Sequence, residues 1–405
     1  MTSLGLPRAE RPEQVGLSSE RLDRITAQLK SDIAAGVIPG AVLVIARSGR
    51  IGYAGALGHR DKEAGAAMNF DAIFRIASMT KPIVSVAAMA LAEEGRLDVG
   101  APVADYIPAF AEMTVGPERK AKRTMTVQDL LRHTSGLTYA AFGRQPGADD
   151  LARRQFAGDN QTNEELVGKL AKLPLMFEPG TTWEYSMSTD VLGRVIEMAS
   201  GKSLAAFIAE RVTGPLGMVD TAFAATGDKA GRIAEPLVDK ATGKKPPMRN
   251  PAKEGNWHSG GGGLCGTAAD YIRFCQMLLN GGELDGIRIL APKTVRLMAS
   301  QHLPPDVGYG ETARSRFGQL APVPEMGYGF GLGFAVRVAP GMSPVPGSVG
   351  EFFWSGVTGT YFWIDPQEQM VVVLMLQAPD QRLRYRNLTR RLVYGAVTGP
   401  LRWRR

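Results

Sequence analysis

Two cysteines and four histidines are all that 405 residues supply of the side chains that most often hold transition metals. Cys265 and Cys275 stand in no zinc-ligand spacing with any histidine, so no metal site is expected, and two buried free thiols fit better than a disulfide. Apolar runs are short as well. Nothing approaches the ~18 consecutive apolar residues of a membrane helix, and Arg8 and Arg11 precede no apolar stretch of the kind a secretory signal needs. A cytoplasmic protein with no membrane partner is the expectation. The chain has no Gly-x-Ser-x-Gly, which argues against the strained strand-to-helix elbow of α/β-hydrolases. It also lacks a Gly-x-x-x-x-Gly-Lys-Ser/Thr loop for nucleotide phosphates. Internal repeats and low-complexity segments are missing too, although Gly260 to Gly263 marks a flexible loop.

What remains is the composition of an ordinary globular protein, 44% hydrophobic and 21% charged, enough for a sizeable core. Forty-seven basic against forty acidic residues give a formal charge of +7. The basic residues are spread thinly, except in the tail from Arg382 to Arg405, which reads as a basic end on a solvated helix. No nucleic-acid partner is expected. Residues 1–14 and 400–405 have no hydrophobic period and are expected to be irregular.

Residues 19–35 place Leu22, Ile25, Leu29 and Ile33 at helical spacing. Residues 41–46 and 51–56 flank Arg47-Ser48-Gly49-Arg50 and predict a β-hairpin. Near the other end, 329–338, 360–364 and 370–377 predict three strands, the last two joined by Asp365-Pro366-Gln367-Glu368-Gln369. Between these β-rich ends the helical candidates are 81–94, 127–131, 163–173, 188–200, 204–212 and 268–279. The expected class is α/β (α+β): an antiparallel sheet assembled from both chain ends and flanked by helices, plus a mostly helical part. A discontinuous α/β domain (1–85 and 178–405) with a smaller helical domain (86–177) would leave the active site between them.

The segment richest in chemistry is Phe74-Arg75-Ile76-Ala77-Ser78-Met79-Thr80-Lys81-Pro82. Pro82 lacks a backbone N–H and is tolerated only in a helix's first turn, so Ser78 and Lys81 lie at a helix start, on one face. A serine hydroxyl is a weak nucleophile until a base takes its proton. A buried lysine can be that base, because desolvation disfavours the ammonium. The positive helix end would favour an oxyanion nearby. A capping serine followed by a surface lysine gives the same spacing by chance, so the pair alone does not decide.

Further phrases do more. Leu130-Leu131-Arg132-His133-Thr134-Ser135-Gly136-Leu137, Phe177-Glu178-Pro179-Gly180, Tyr185-Ser186 and the run from Gly260 to Thr267 follow in order. With these phrases the chain resembles the serine β-lactamase and penicillin-binding-protein superfamily, and within it class C β-lactamases and the family VIII carboxylesterases, from about Gly40 to Gln377. The resemblance implies that Ser78, Lys81 and Tyr185 are catalytic, with the order of proton transfer between Lys81 and Tyr185 left open. It further implies an oxyanion hole from the backbone N–H groups of Ser78 and Val357. Where β-lactamases carry Lys-Thr-Gly, this chain has Trp354-Ser355-Gly356. Where they carry asparagine two residues after the tyrosine, it has Met187. Trp354, Gly356 and Met187 are therefore the expected substrate-binding residues. In the family His133 belongs to a structural turn, and His59, His258 and His302 join no constellation.

The leading expectation is a cofactor-free serine hydrolase forming an acyl-enzyme on short- to medium-chain neutral esters. A β-lactamase, D-aminopeptidase or amide hydrolase, an acyltransferase, and a penicillin-binding ligand binder without turnover are the alternatives. The sequence does not fix the oligomeric state.

Overall fold

The computed structural model describes residues 4–116, 119–139, 160–310 and 312–399. Its organising element is an eight-stranded sheet: β1 (Gly40–Arg47), β2 (Arg50–Asp61), β3 (Ala66–Ala67), β4 (Tyr328–Phe330), β5 (Ala335–Arg337), β6 (Phe352–Ser355), β7 (Tyr361–Asp365) and β8 (Met370–Met375). The spatial order is β4-β5-β6-β7-β8-β1-β2-β3. The seam between the chain's two ends is the antiparallel pair β1–β8, in register from Val42–Met375 to Arg47–Met370. Both of these strands are apolar almost without interruption and buried along nearly their whole length, as strands covered on both faces must be. The β1–β2 turn puts Ser48 and Gly49 at φ 52° and 74°, the pair of left-handed residues that a tight hairpin matching strand twist requires.

Successive strand residues face opposite ways, and β7 shows what lies on each side. Phe362 packs against Tyr271 of helix Ala268–Leu279. Its neighbour Trp363 stacks on Tyr394 of helix Arg382–Gly395. This last helix packs against Ser19–Ala34, whose Leu22, Ile25 and Leu29 are buried at the predicted spacing. In the middle of the chain, helix Ser188–Ser200 is the hub, touching Thr80–Glu93, Val127–Leu131, Asn163–Leu170 and Leu204–Ile208.

Three expectations need correction, and one strand has no periodic signal. The stretch 329–338 is not one strand but the hairpin β4–β5, pairing Phe330 with Ala335. Its turn is tight because Gly333 sits at φ 98° and a Cβ on Gly331 would lie 2.1 Å from the Met298 carbonyl oxygen. The strand β6 was not legible as a strand from alternation, since all four of its residues are buried. From residue 4 on, the N-terminal stretch is not wholly irregular: Ala9 N–H reaches the Ile51 carbonyl at 2.9 Å, and Pro12–Val15 form a 3-10 turn. The other expected irregular end, 400–405, lies outside the described residues. Finally, helix Arg382–Gly395 is not merely a solvated basic end. Arg390 is fully buried between two carboxylate contacts from Glu351 at 2.7 Å, and Arg386 is buried with it.

Candidate active site

The segment carrying Ser78 begins with strain. Ala77 has φ 46°, a left-handed conformation that costs a non-glycine residue about 1–3 kcal/mol and persists only where the surroundings impose it. They do so from several sides. Tyr271 hydroxyl donates to the Met79 carbonyl at 2.9 Å, and Leu264 N–H donates to Thr80 Oγ1 at 3.1 Å. Ser78 lies in the 3-10 turn Ala77–Met79 and leads directly into helix Thr80–Glu93, as the position of Pro82 requires. Residues 80 to 91 of that helix are all buried, so it is a core helix and not an amphipathic one. Ser78 itself is partly exposed.

Lys81 follows one turn later, 1% exposed. Its Nζ has three polar neighbours: the Gly261 carbonyl oxygen at 2.6 Å, Tyr139 hydroxyl at 2.9 Å and Ser78 Oγ at 3.3 Å. It also stands 4.6 Å from the centre of the Tyr185 ring. The Gly261 carbonyl can only accept, so Nζ donates to it, and the amine is held within hydrogen-bond reach of the Ser78 hydroxyl.

Two turns position the tyrosines. Asp129, fully buried, accepts hydrogen bonds from Arg123, Arg132 and Thr134. That network shapes the His133-Thr134-Ser135-Gly136 turn, which is stitched to 176–184: Met176 N–H to Gly136 O, Gly180 N–H to Thr134 O and Glu184 N–H to His133 O, at 2.7–3.0 Å. A Cβ on Gly136 would sit 2.2 Å from the Phe177 carbonyl oxygen, and its φ is 85°, so the turn requires glycine. Tyr139 and Tyr185 thus leave neighbouring segments, their ring centres 5.5 Å apart. Burial first, then the neighbouring Tyr185 and Asp190, push the Tyr139 phenol well above the ordinary tyrosine range. It stays protonated at neutral pH. His133 backs Tyr185 at 4.9 Å between ring centres. Burial and the nearby Lys81 push its imidazole well below its usual range, leaving it neutral and without the charge of a catalytic acid.

The remaining sequence-derived site residues surround this centre. Trp354 is 1% exposed, and its indole N–H donates to Tyr185 hydroxyl at 3.3 Å. Its ring packs on Phe317 and Phe330. Met187 is also 1% exposed, just before helix Ser188–Ser200. Gly356 is pressed against the segment that leads into Ser78: a Cβ there would lie 2.7 Å from the Ile76 carbonyl oxygen and 2.2 Å from Thr360 Oγ1. Thr358 and Thr360 hydroxyls donate to the carbonyls of Arg75 and Ile76 at 2.8 and 3.1 Å. The turn carrying Val357 is thereby tied to the chain immediately before Ser78, and Val357 is 53% exposed.

Sequence reasoning missed Tyr139, Gly261 and Asp190. Asp190 is buried, accepting from Ser259 Oγ at 2.5 Å and Gly261 N–H at 3.0 Å. Burial raises its carboxyl, against the opposing influence of Lys81 and these two donors. Cys265 and Cys275 are free and buried, as expected. Among the described residues no cluster of His, Cys, Asp and Glu is placed to hold a metal ion, and no helix is long and apolar enough to cross a membrane.

With this geometry in view, comparison with known proteins is direct. A family model described as Beta-lactamase matches residues 22–395. The chain belongs to the beta-lactamase family. An uncharacterized protein of Mycobacterium tuberculosis is 34% identical over 374 residues, spanning 89% of this chain and 91% of that protein. Esterase EstB of Burkholderia gladioli is 33% identical over 366 residues, 83% of this chain and 85% of its own length. Among solved structures, EstCE1, described as a hydrolase with promiscuous acyltransferase activity, superposes with a TM-score of 0.78 at 28% identity, covering 93% of this chain and 98% of EstCE1. Unliganded simvastatin synthase (LovD) from Aspergillus terreus shares the fold, with a TM-score of 0.76 at 21% identity over 93% of this chain and 99% of that one. The resemblance drawn from the sequence phrases is borne out, and the chain is a serine hydrolase of this family.

Proposed function

We propose that this protein hydrolyses carboxylic esters through an acyl-enzyme on Ser78. The observation that carries the reading is the three-fold surrounding of Lys81 Nζ, two obligate or available acceptors and the Ser78 hydroxyl. In the neutral form Lys81 takes the Ser78 proton as Oγ bonds to the ester carbonyl carbon. The carbonyl π-electrons move onto oxygen, which the N–H groups of Ser78 and Val357 receive. Collapse expels the alcohol, whose oxygen takes a proton from Tyr185. Lys81 restores that proton by way of the Tyr139 hydroxyl. Water then attacks the acyl-enzyme, giving one proton back along the same path, and Ser78 leaves with its hydrogen restored.

Substrate class follows from the two departures from the β-lactamase pattern. A neutral indole, Trp354, stands where those enzymes have a lysine, and the thioether of Met187 where they have an amide. A substrate carboxylate facing the indole would lack a cation there, and an amide side chain facing the thioether would lack a good partner. Neutral short- to medium-chain esters need neither. EstB and EstCE1, both carrying hydrolase or esterase descriptions, support this direction. Side-by-side kinetics on nitrophenyl butyrate and a chromogenic cephalosporin test it: kcat/KM is expected to be far higher for the ester. Comparable or higher efficiency on the cephalosporin would replace the esterase reading by a β-lactamase one.

A further inference from the structure

Arg386 on the last helix is 4% exposed, and its Nη2 donates to the carbonyl oxygen of Gly356 at 3.2 Å. That carbonyl belongs to the same peptide unit as the N–H of Val357. A peptide is a conjugated unit: a donor at its oxygen draws electron density from nitrogen and makes the N–H a stronger donor, the cooperative polarisation seen along hydrogen-bonded chains. A cationic donor does this more strongly than a neutral one.

The arrangement is a costly one to keep without a purpose. Arg386 Nε is buried without a partner, and among the described residues the guanidinium enters no ion pair. Burial, with the charge of Arg382, lowers its pKa to about 10, so it remains a cation at neutral pH. A buried, unpaired guanidinium destabilises a fold, and an apolar side chain of similar size would ordinarily be preferred. The neighbouring groups fix the peptide it addresses. Gly359 N–H donates to the same Gly356 oxygen at 3.2 Å, and Gly356 N–H donates to Thr360 O at 2.8 Å. The Arg390 guanidinium four residues on is neutralised by Glu351 at 2.7 Å, so the two buried arginines of this helix differ in kind.

We propose that Arg386 is a positioning residue of the oxyanion hole, polarising the Gly356–Val357 peptide so that Val357 N–H binds the tetrahedral oxyanion more strongly than a plain amide would. This rests on the reading of Ser78 as nucleophile and Val357 N–H as oxyanion donor. Its effect belongs to the transition state, where charge develops on the substrate oxygen, and little to ground-state binding.

The test uses Arg386→Gln and Arg386→Lys in the full chain with nitrophenyl butyrate, an alkyl boronic acid as tetrahedral anion mimic, and infrared spectra of a carbonyl-labelled acyl-enzyme. Removing an oxyanion donor outright costs ~10²–10³ in kcat. Weakening one by Arg386→Gln is expected to lower kcat by about 10-fold or more, with KM nearly unchanged, and to weaken the boronate by a similar factor. The acyl carbonyl band should move to higher frequency, reporting weaker hydrogen bonding to the oxygen. Arg386→Lys keeps a cation and should fall between wild type and the glutamine variant on every readout. It also carries the comparison if the glutamine variant does not fold. An unmoved carbonyl band and unchanged boronate affinity in a folded variant would overturn the inference while leaving the hydrolase intact. A wild-type enzyme that forms no acyl-enzyme would instead overturn the reading beneath it.

Discussion

Asp190 and Lys81 face each other across Gly261: the aspartate accepts the Gly261 N–H at 3.0 Å, and the Lys81 amine meets the Gly261 carbonyl at 2.6 Å. One residue of backbone thus separates a buried carboxylate from a buried amine, and Lys81 opposes the rise that burial imposes on the Asp190 carboxyl. Asp190→Asn weakens the acceptor that holds Ser259 Oγ and Gly261 N–H, so the Gly261 carbonyl that meets Lys81 should be less firmly placed. In a variant that still folds, kcat on nitrophenyl butyrate is expected to fall by about 10-fold or more, the effect of a slight misplacement. An unchanged kcat would show that Asp190 does not position the lysine.

The loop itself is constrained by size. A Cβ on Gly261 would lie 2.2 Å from Asp190 Oδ2, and the carboxylate is fixed by two donors and has little room to yield. Gly261→Ala should displace the carbonyl that meets Lys81 and lower kcat by ~10²-fold, the scale on which misplacement of about 1 Å acts. Steady-state kinetics beside a thermal melt separates this from simple unfolding.

On the proposed mechanism Tyr139 and Tyr185 share one proton path. Tyr139→Phe, Tyr185→Phe and Lys81→Ala should each reduce kcat by ~10²-fold or more, and the double tyrosine variant should lose far less than the product of the single losses. If Tyr139→Phe leaves kcat unchanged, the Lys81–Tyr139 contact is a structural one and the relay runs through Tyr185 alone.

Acid stability should depend on Asp129. Burial alone would raise its carboxyl, but donors including Arg123, Thr126 N–H and Thr134 outweigh this and hold it below the ordinary carboxylate range. A carboxyl whose folded pKa is depressed stabilises the fold above its unfolded value, about 3.9, and loses that contribution as pH falls through the folded one. Asp129→Asn is expected to cost about 2–3 kcal/mol at pH 7, the low side of the range because Arg123 is partly exposed. The difference in urea midpoint from wild type should shrink below about pH 4.

Legibility of the site in the sequence followed distance along the chain. Ser78 and Lys81 are three residues apart and share a helix face, so local spacing was enough to join them. Tyr139 meets Lys81 across 58 residues and Gly261 across 180, separations that no periodicity reports. Tyr139 did carry a signal, standing three residues after Gly136 at the end of a turn already singled out. The sheet's seam was legible because β1 and β8 are uniformly apolar, whereas β6 offered four buried residues without alternation. Arg386 and Arg390 were read as surface charges because arginine is usually exposed. Their spacing with Thr389 and Val393, all buried, puts them on an inward-facing stripe.

The central claim is a covalent intermediate on Ser78, and the most direct measurement is intact-protein and peptide mass after rapid quench from nitrophenyl butyrate. A butyryl adduct confined to the peptide containing Ser78, and lost in Ser78→Ala along with fluorophosphonate labelling, is the predicted result. Ester turnover persisting in Ser78→Ala at near wild-type rate, or an adduct on another residue, would contradict it.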